Sequence, residues 1–204
     1  MIPNFPSPLL SQAESDFLTT FSDLSGNSVF SQAALLFGLV LVNAFFVAAE
    51  YALANLRSSH IEDLVTNGKK SASFIQKILE KIDGHLSACQ LGITLSSIVL
   101  GAVSEPFVSA LIQPFLLQVG LEETAIRILS FTFGVSVITF IHVVVGEQLP
   151  KVLGIHKALQ TAIICSRPLH LFFLIFSIPI WLMTRCSTFL LKHLFRVDAV
   201  EGYR

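Results

Sequence analysis

The sequence has 204 residues, 53% hydrophobic and 13% charged, with a formal net charge of −1, and its mean hydropathy is +0.73. A soluble domain of this size has no interior large enough to hide that much apolar surface, so much of it must face lipid. The near-neutral balance excludes a global field of the kind that draws nucleic acid or an acidic substrate, and no nucleic-acid partner is expected.

Residues 1–32 contain no Lys or Arg and no early apolar core. They read as a non-cytosolic N-terminal segment rather than a cleaved signal peptide. The first span is predicted from about Ala33 to Leu53, a charge-free run that admits Glu50 only near its end; about 20 residues suffice to cross ~30 Å of hydrocarbon. A loop at 57–84 follows, in which Ile61, Leu64 and Val65, a turn at Asn67-Gly68, and then Phe74, Ile75, Ile78, Leu79 and Ile82 predict two short amphipathic helices under the membrane. The second span is predicted from about Leu86 to Val103, before Glu105 and Pro106, and the third from about Ala125 to Val145, before Gly146, Glu147 and Pro150 interrupt it.

Lipid-facing backbone groups must be bonded within their own segment, so the fold class is an all-α membrane protein. Three transmembrane helices form residues 33–155. The apolar segment Leu169–Thr184 has 16 residues with Pro179 inside, and crossing there would carry Lys192 and Arg196 to the wrong side. A broken juxtamembrane belt over 156–197, with breaks near Pro168 and Pro179, is expected instead, a fourth span being the alternative. Twelve of the 13 basic residues then fall on one side, all but Arg127. That bias places the 57–84 loop and the C-terminus in the cytosol and the N-terminus outside.

Polar groups within the spans are the informative ones, because a charge at the bilayer centre costs roughly 2.5–3.5 kcal/mol on insertion scales. Asn43 and Glu50 share a face of span one. Ser87, Gln90, Thr94, Ser97 and Gly101 make a stripe on span two, and Thr132, Ser136, Thr139 and His142 another on span three, ending at Gly146 and Glu147 where the helix should loosen before Pro150. Small and hydroxyl residues also let helices approach closely, which is the plainer reading of either stripe. Asn, Gln, Thr, a carboxylate and a freed backbone carbonyl form an oxygen-only set, which suits a hard cation such as magnesium. Pro150 cannot donate to the Gly146 carbonyl, so that oxygen is expected to be free beside Glu147. Cys89, Cys165 and Cys186 sit in apolar surroundings without metal-ligand spacing and read as buried small hydrophobes. No Gly-rich phosphate loop, GxSxG or HExxH is present, so binding or permeation is expected rather than catalysis, with no organic cofactor.

The motifs NAFFVAAEYAL from Asn43, LSACQLGITLSSIVLGAVSEP from Leu86 and IHVVVGEQLPK from Ile141 resemble the transmembrane domain of the CorC and cyclin-M family, also called hemolysin C-like, over about Ala33 to Arg196. The resemblance implies a homodimer embedded in the lipid bilayer, three spans per subunit, a juxtamembrane belt and magnesium as substrate, exported in a sodium-coupled manner, in a bacterial inner membrane. It implies an ion site from Asn43, Gln90, Thr94, Ser97, Gly146 and Glu147. Val47 and Ile93 depart from it, standing where many relatives have Ser and Asn, so fewer protein oxygens are offered and retained water replaces them. Residues 198–204 would begin the linker to cytosolic CBS modules, through which Mg-ATP would act. Whether the chain is a piece of such a protein or a stand-alone membrane domain stays open. A magnesium sensor or scaffold that does not conduct is the competing reading; the literal one, a membrane-damaging toxin, finds no exposed amphipathic pore-former.

Overall fold

The computed structural model describes residues 29–56, 70–117 and 123–194, which are helical apart from short turns. In chain order these are α1 (Val29–Ala54), α2 (Lys70–Leu79), α3 (Ile82–Leu117), α4 (Glu123–Ile141), a π-helical turn (His142–Gln148), α5 (Leu149–His156), α6 (Ala158–Ile175) and α7 (Ser177–Leu194). Among the described residues four helical runs are long and apolar enough to cross a membrane: Phe30–Ala54, Ile82–Ser104, Thr124–His156 and Ala158–Ile175.

Each boundary has a local cause, and several differ from expectation. The third run does not stop before Pro150. It widens into the π turn and resumes as α5, with Pro150 in the first turn of α5. The second helix continues past Glu105 and Pro106, and past Pro114, to Leu117. Of the breaks expected near Pro168 and Pro179, the second is present, at Phe176 (φ −98°, ψ 24°), three residues before Pro179, and the first is absent. Pro168 lies inside α6, where it removes a single helical bond while Cys165, Ser166 and Leu169 around it are held in the core. Pro179 falls in the first turn of α7, where it has no N–H to give the Ile175 carbonyl that a continuous helix would pair with it. The uninterrupted α6 therefore supplies a fourth apolar run of 18 residues where three were expected.

Of the two amphipathic helices expected between the first spans, α2 is the second. Ile75 and Ile78 are buried while Gln76, Lys77 and Glu80 are exposed. The first falls at 57–69, outside the described residues, as do 1–28, 118–122 and 195–204.

The chain forms two compact units, one of Met1–Val40 with Ser97–His142 and one of Leu41–Ser96 with Val143–Arg204. In the second, α2, α5 and α7 all pack against α6. Phe46, Ala49 and Leu53 of α1, Ile75 and Ile78 of α2, Ala88 and Cys89 of α3, Ala162, Cys165 and Leu169 of α6 and Ile180 of α7 share one core. Phe172 joins it edge-on to Phe46 (4.8 Å) and stacked on Phe176 (4.4 Å). Two glycines set how closely helices meet. A Cβ on Gly154 would lie 2.8 Å from the Ala48 carbonyl oxygen, and one on Gly92 would lie 2.6 Å from the Phe46 ring. Such close approach is the source of van der Waals cohesion where lipid weakens the hydrophobic drive. In the other unit Leu36, Leu100, Val108 and Ile126 are buried while Phe131, Phe133 and Phe140 are exposed, an apolar surface that suits lipid. Cys89 and Cys165 are buried as expected, but Cys186 is exposed on α7.

Candidate functional site

The π turn is where the third apolar run becomes chemically unusual. Its sequence, HVVVGEQ, precedes Leu149-Pro150, and Pro150 offers no N–H to the carbonyl four residues back. A π turn spaces its backbone bonds five residues apart, and such turns recur at functional sites. The Gly146 oxygen released by Pro150 is not left free, however: the Asn43 amide Nδ2 donates to it at 3.1 Å.

Asn43 is completely buried, and its other end is also occupied. The Ser96 hydroxyl donates to Asn43 Oδ1 at 2.9 Å. These two partners orient the amide, because turning it over would set its oxygen against the Gly146 oxygen. Ser96 has one proton and three acceptors in reach, Asn43 Oδ1, Gly92 O at 2.8 Å and Ile93 O at 3.0 Å. Asn43, Ser96 and Gly146 thus clasp three separate stretches of sequence within one unit.

Of the residues expected to form an ion site, the structure joins Asn43 to Gly146 directly, and the half-buried Glu147 follows Gly146 in the same π turn. Gln90 and Thr94 lie together on an exposed part of α3, where Thr94 Oγ1 donates to the Gln90 carbonyl at 2.8 Å. Ser97 belongs to the other unit, where with Gly101, Ser104, Thr139 and His142 it lines a cleft of about 290 Å³. Several stripe hydroxyls satisfy their own helices, Ser87 on Asp83 O at 2.9 Å and Ser136 on Thr132 O at 2.7 Å. Val47 is buried and Ile93 half-buried, so the two apolar departures add packing and no oxygens. Among the described residues no three His, Cys, Asp or Glu side chains gather, which leaves Glu147 the only carboxylate between Thr124 and His156.

Two features escaped sequence reasoning. Ser96 is one residue off the polar stripe, and only its four-residue spacing from Gly92 hinted that it faces α1. The second is a histidine pair. His85 Nδ1 lies 2.9 Å from the Lys81 carbonyl oxygen, which can only accept, so that nitrogen carries the proton. His85 Nε2 then accepts from His170 Nδ1 at 3.2 Å. Phe173 stacks on His85 (4.5 Å), and Phe74 meets His170 edge-on (5.4 Å), pinning α2 and the start of α3 to α6.

Helices long and apolar enough to cross a membrane, one of them opened by a π turn that carries a carboxylate next to a clasped backbone carbonyl, are the features of a helical membrane domain. Residues 34–202 match the family model described as the cyclin M transmembrane N-terminal domain, and the chain belongs to that family. It is 40% identical over 154 residues to the UPF0053 protein YhdP of Bacillus subtilis (strain 168), covering 76% of this chain and 35% of that protein. It is 41% identical over 145 residues to YhdT (71% and 32%) and 35% identical over 173 residues to YugS (85% and 40%), both from the same strain. The chain spans about a third of the length of these relatives. Family membership and the apolar helices together make it an integral membrane protein domain.

Proposed function

We propose that the chain moves magnesium across the membrane, outward and coupled to sodium, as a homodimer in a bacterial inner membrane, with its N-terminus outside and its C-terminus in the cytosol. The observation that carries this reading is the π turn that holds the third run's only carboxylate, Glu147, next to a carbonyl clasped by Asn43. Magnesium takes oxygen ligands and gives up its waters reluctantly. One carboxylate with neutral oxygens can hold it without trapping it, as passage requires. Thr94 fits that role physically: having given its proton to Gln90 O, its hydroxyl presents lone pairs to an exposed face. Nothing in this reading requires catalysis.

Three full spans and a surface-lying α6 complete the reading. α6 packs along α2, whose exposed lysine and buried isoleucines suit a helix lying at the membrane surface. At about 27 Å its 18 residues also fall short of the hydrocarbon thickness.

The test is magnesium flux into liposomes that contain only this protein, with the Glu147→Gln variant alongside. Losing a charged ligand costs about 1.5–3 kcal/mol, so flux below saturation should fall roughly 10- to 100-fold while expression and assembly are unchanged. Normal transport by the variant would move the site elsewhere, and unfolding would make Glu147 a structural residue. A wild-type protein that binds magnesium but moves none would establish the sensor reading.

A further inference from the structure

From Gln148 to Val197 the chain has no Asp or Glu and six basic residues, Lys151, Lys157, Arg167, Arg185, Lys192 and Arg196. The last helix of this stretch, α7, equals α6 in length at 18 residues, yet unlike α6 it is not among the described helices apolar enough to cross a membrane. One side of α7 is turned inward through Ile180, with Thr184 and Thr188 partly covered and each donating to the carbonyl four residues back at 2.9 Å. The other side is apolar and open: Ile178 is 79% exposed, Trp181 59% and Phe189 60%. Arg185 lies in the middle of this side, its guanidinium over the Trp181 ring at 5.7 Å.

A helix too polar to span, with an apolar open face, a cation and a tryptophan on that face, matches the requirements of the headgroup layer. A guanidinium held over an indole ring still has N–H groups available for a planar, bidentate partner such as phosphate. A second copy of the chain would bring the same acid-free, basic surface, so like charges oppose self-pairing there. We propose that α7 lies in the headgroup layer and that Arg185, held over Trp181, binds the phosphate of anionic phospholipid in preference to zwitterionic lipid.

Trp181 is the only tryptophan of the chain, so its fluorescence reports this helix alone. The full chain is reconstituted into vesicles of phosphatidylcholine mixed with phosphatidylglycerol, with bromine on the acyl chains of one lipid or the other. A basic residue at an anionic surface contributes about 1 kcal/mol, so brominated phosphatidylglycerol should occupy the Trp181 site roughly fivefold more strongly than its mole fraction dictates. Bromines near the headgroup should quench better than deep ones, and salt should weaken the preference. Arg185→Gln should bring it close to parity, Arg185→Lys should keep part of it, and added inorganic phosphate should not compete. Quenching in proportion to mole fraction for both lipids, a preference that survives Arg185→Gln, or quenching by deep bromines alone would each overturn the proposal. The first and third readings need only the wild-type chain, so they stand even if a variant fails to fold.

Discussion

Ser96 has one hydroxyl proton and three oxygens competing for it, and Asn43 is the member of the clasp that neither neighbour can replace. Asn43→Ala strips the Gly146 carbonyl and leaves Ser96 to bond its own helix. Side-chain hydrogen bonds between membrane helices average about 0.6 kcal/mol and reach about 1.7, so unfolding in detergent should become easier by a free energy in that range, read as a lower thermal midpoint. Asn43→Asp should be worse than Asn43→Ala, since an ionised carboxylate would face the Gly146 oxygen; equal midpoints for the two would mean the amide orientation is unimportant. Gly154→Ala tests packing instead. Its Cβ would meet backbone, the Ala48 oxygen at 2.8 Å, which cannot swing aside, and overpacking of this kind costs about 1–3 kcal/mol. At this scale the sequence was only partly legible. Asn43, Gly146 and Glu147 stood out because a polar group in an apolar run is costly, whereas Ser96 did not, because a serine can satisfy itself on its own helix and gives no sign of doing more.

Helix existence could be read from apolar runs, but helix ends could not, and the reason is proline. Pro106, Pro150 and Pro168 each read as a boundary, yet none ends a helix, and only Pro179 has a break beside it, at Phe176. In lipid a broken helix would expose unpaired backbone, so the chain absorbs the missing bond by other means. At Pro150 the means is the π turn. A π turn holds one residue more than an α turn, so deleting Val144 should restore α spacing and rotate Glu147 relative to Asn43. The expected outcome is a folded protein, by circular dichroism and by elution in detergent, whose magnesium flux falls at least as far as that of Glu147→Gln. Retained flux in the deletion variant would show that the π geometry is incidental.

For the whole molecule, the helical membrane fold was legible from hydropathy alone, while the number of crossings was not. Ala158–Ile175 passes on length and composition, and its packing on α2 lies outside what a linear pattern can express. The native thiols offer a direct check, since Cys186 is exposed while Cys89 and Cys165 are buried. A membrane-impermeant maleimide should label Cys186 from the cytosolic face only, and cysteines introduced near Glu14 and Glu122 from the outside only. Outside labelling of Cys186 would add a crossing and reverse the placement of α7. Mass measurement in lipid nanodiscs should give two copies per particle, and monomer at every concentration would remove the homodimer from the proposal.

The Asn43 amide and the oxygen that receives it are separated by 103 residues of chain. At ribosomal speeds of about 5–20 residues per second, the first apolar helix waits roughly 5–20 seconds in the membrane before its acceptor has been synthesised. Throughout that interval a carboxamide sits in hydrocarbon or in the insertion machinery without the Gly146 oxygen that receives it in the folded domain. Biogenesis of this domain is therefore a matter of sheltering an early polar side chain until a late glycine arrives, and nascent chains halted before Gly146 should be the species most readily captured by membrane insertases.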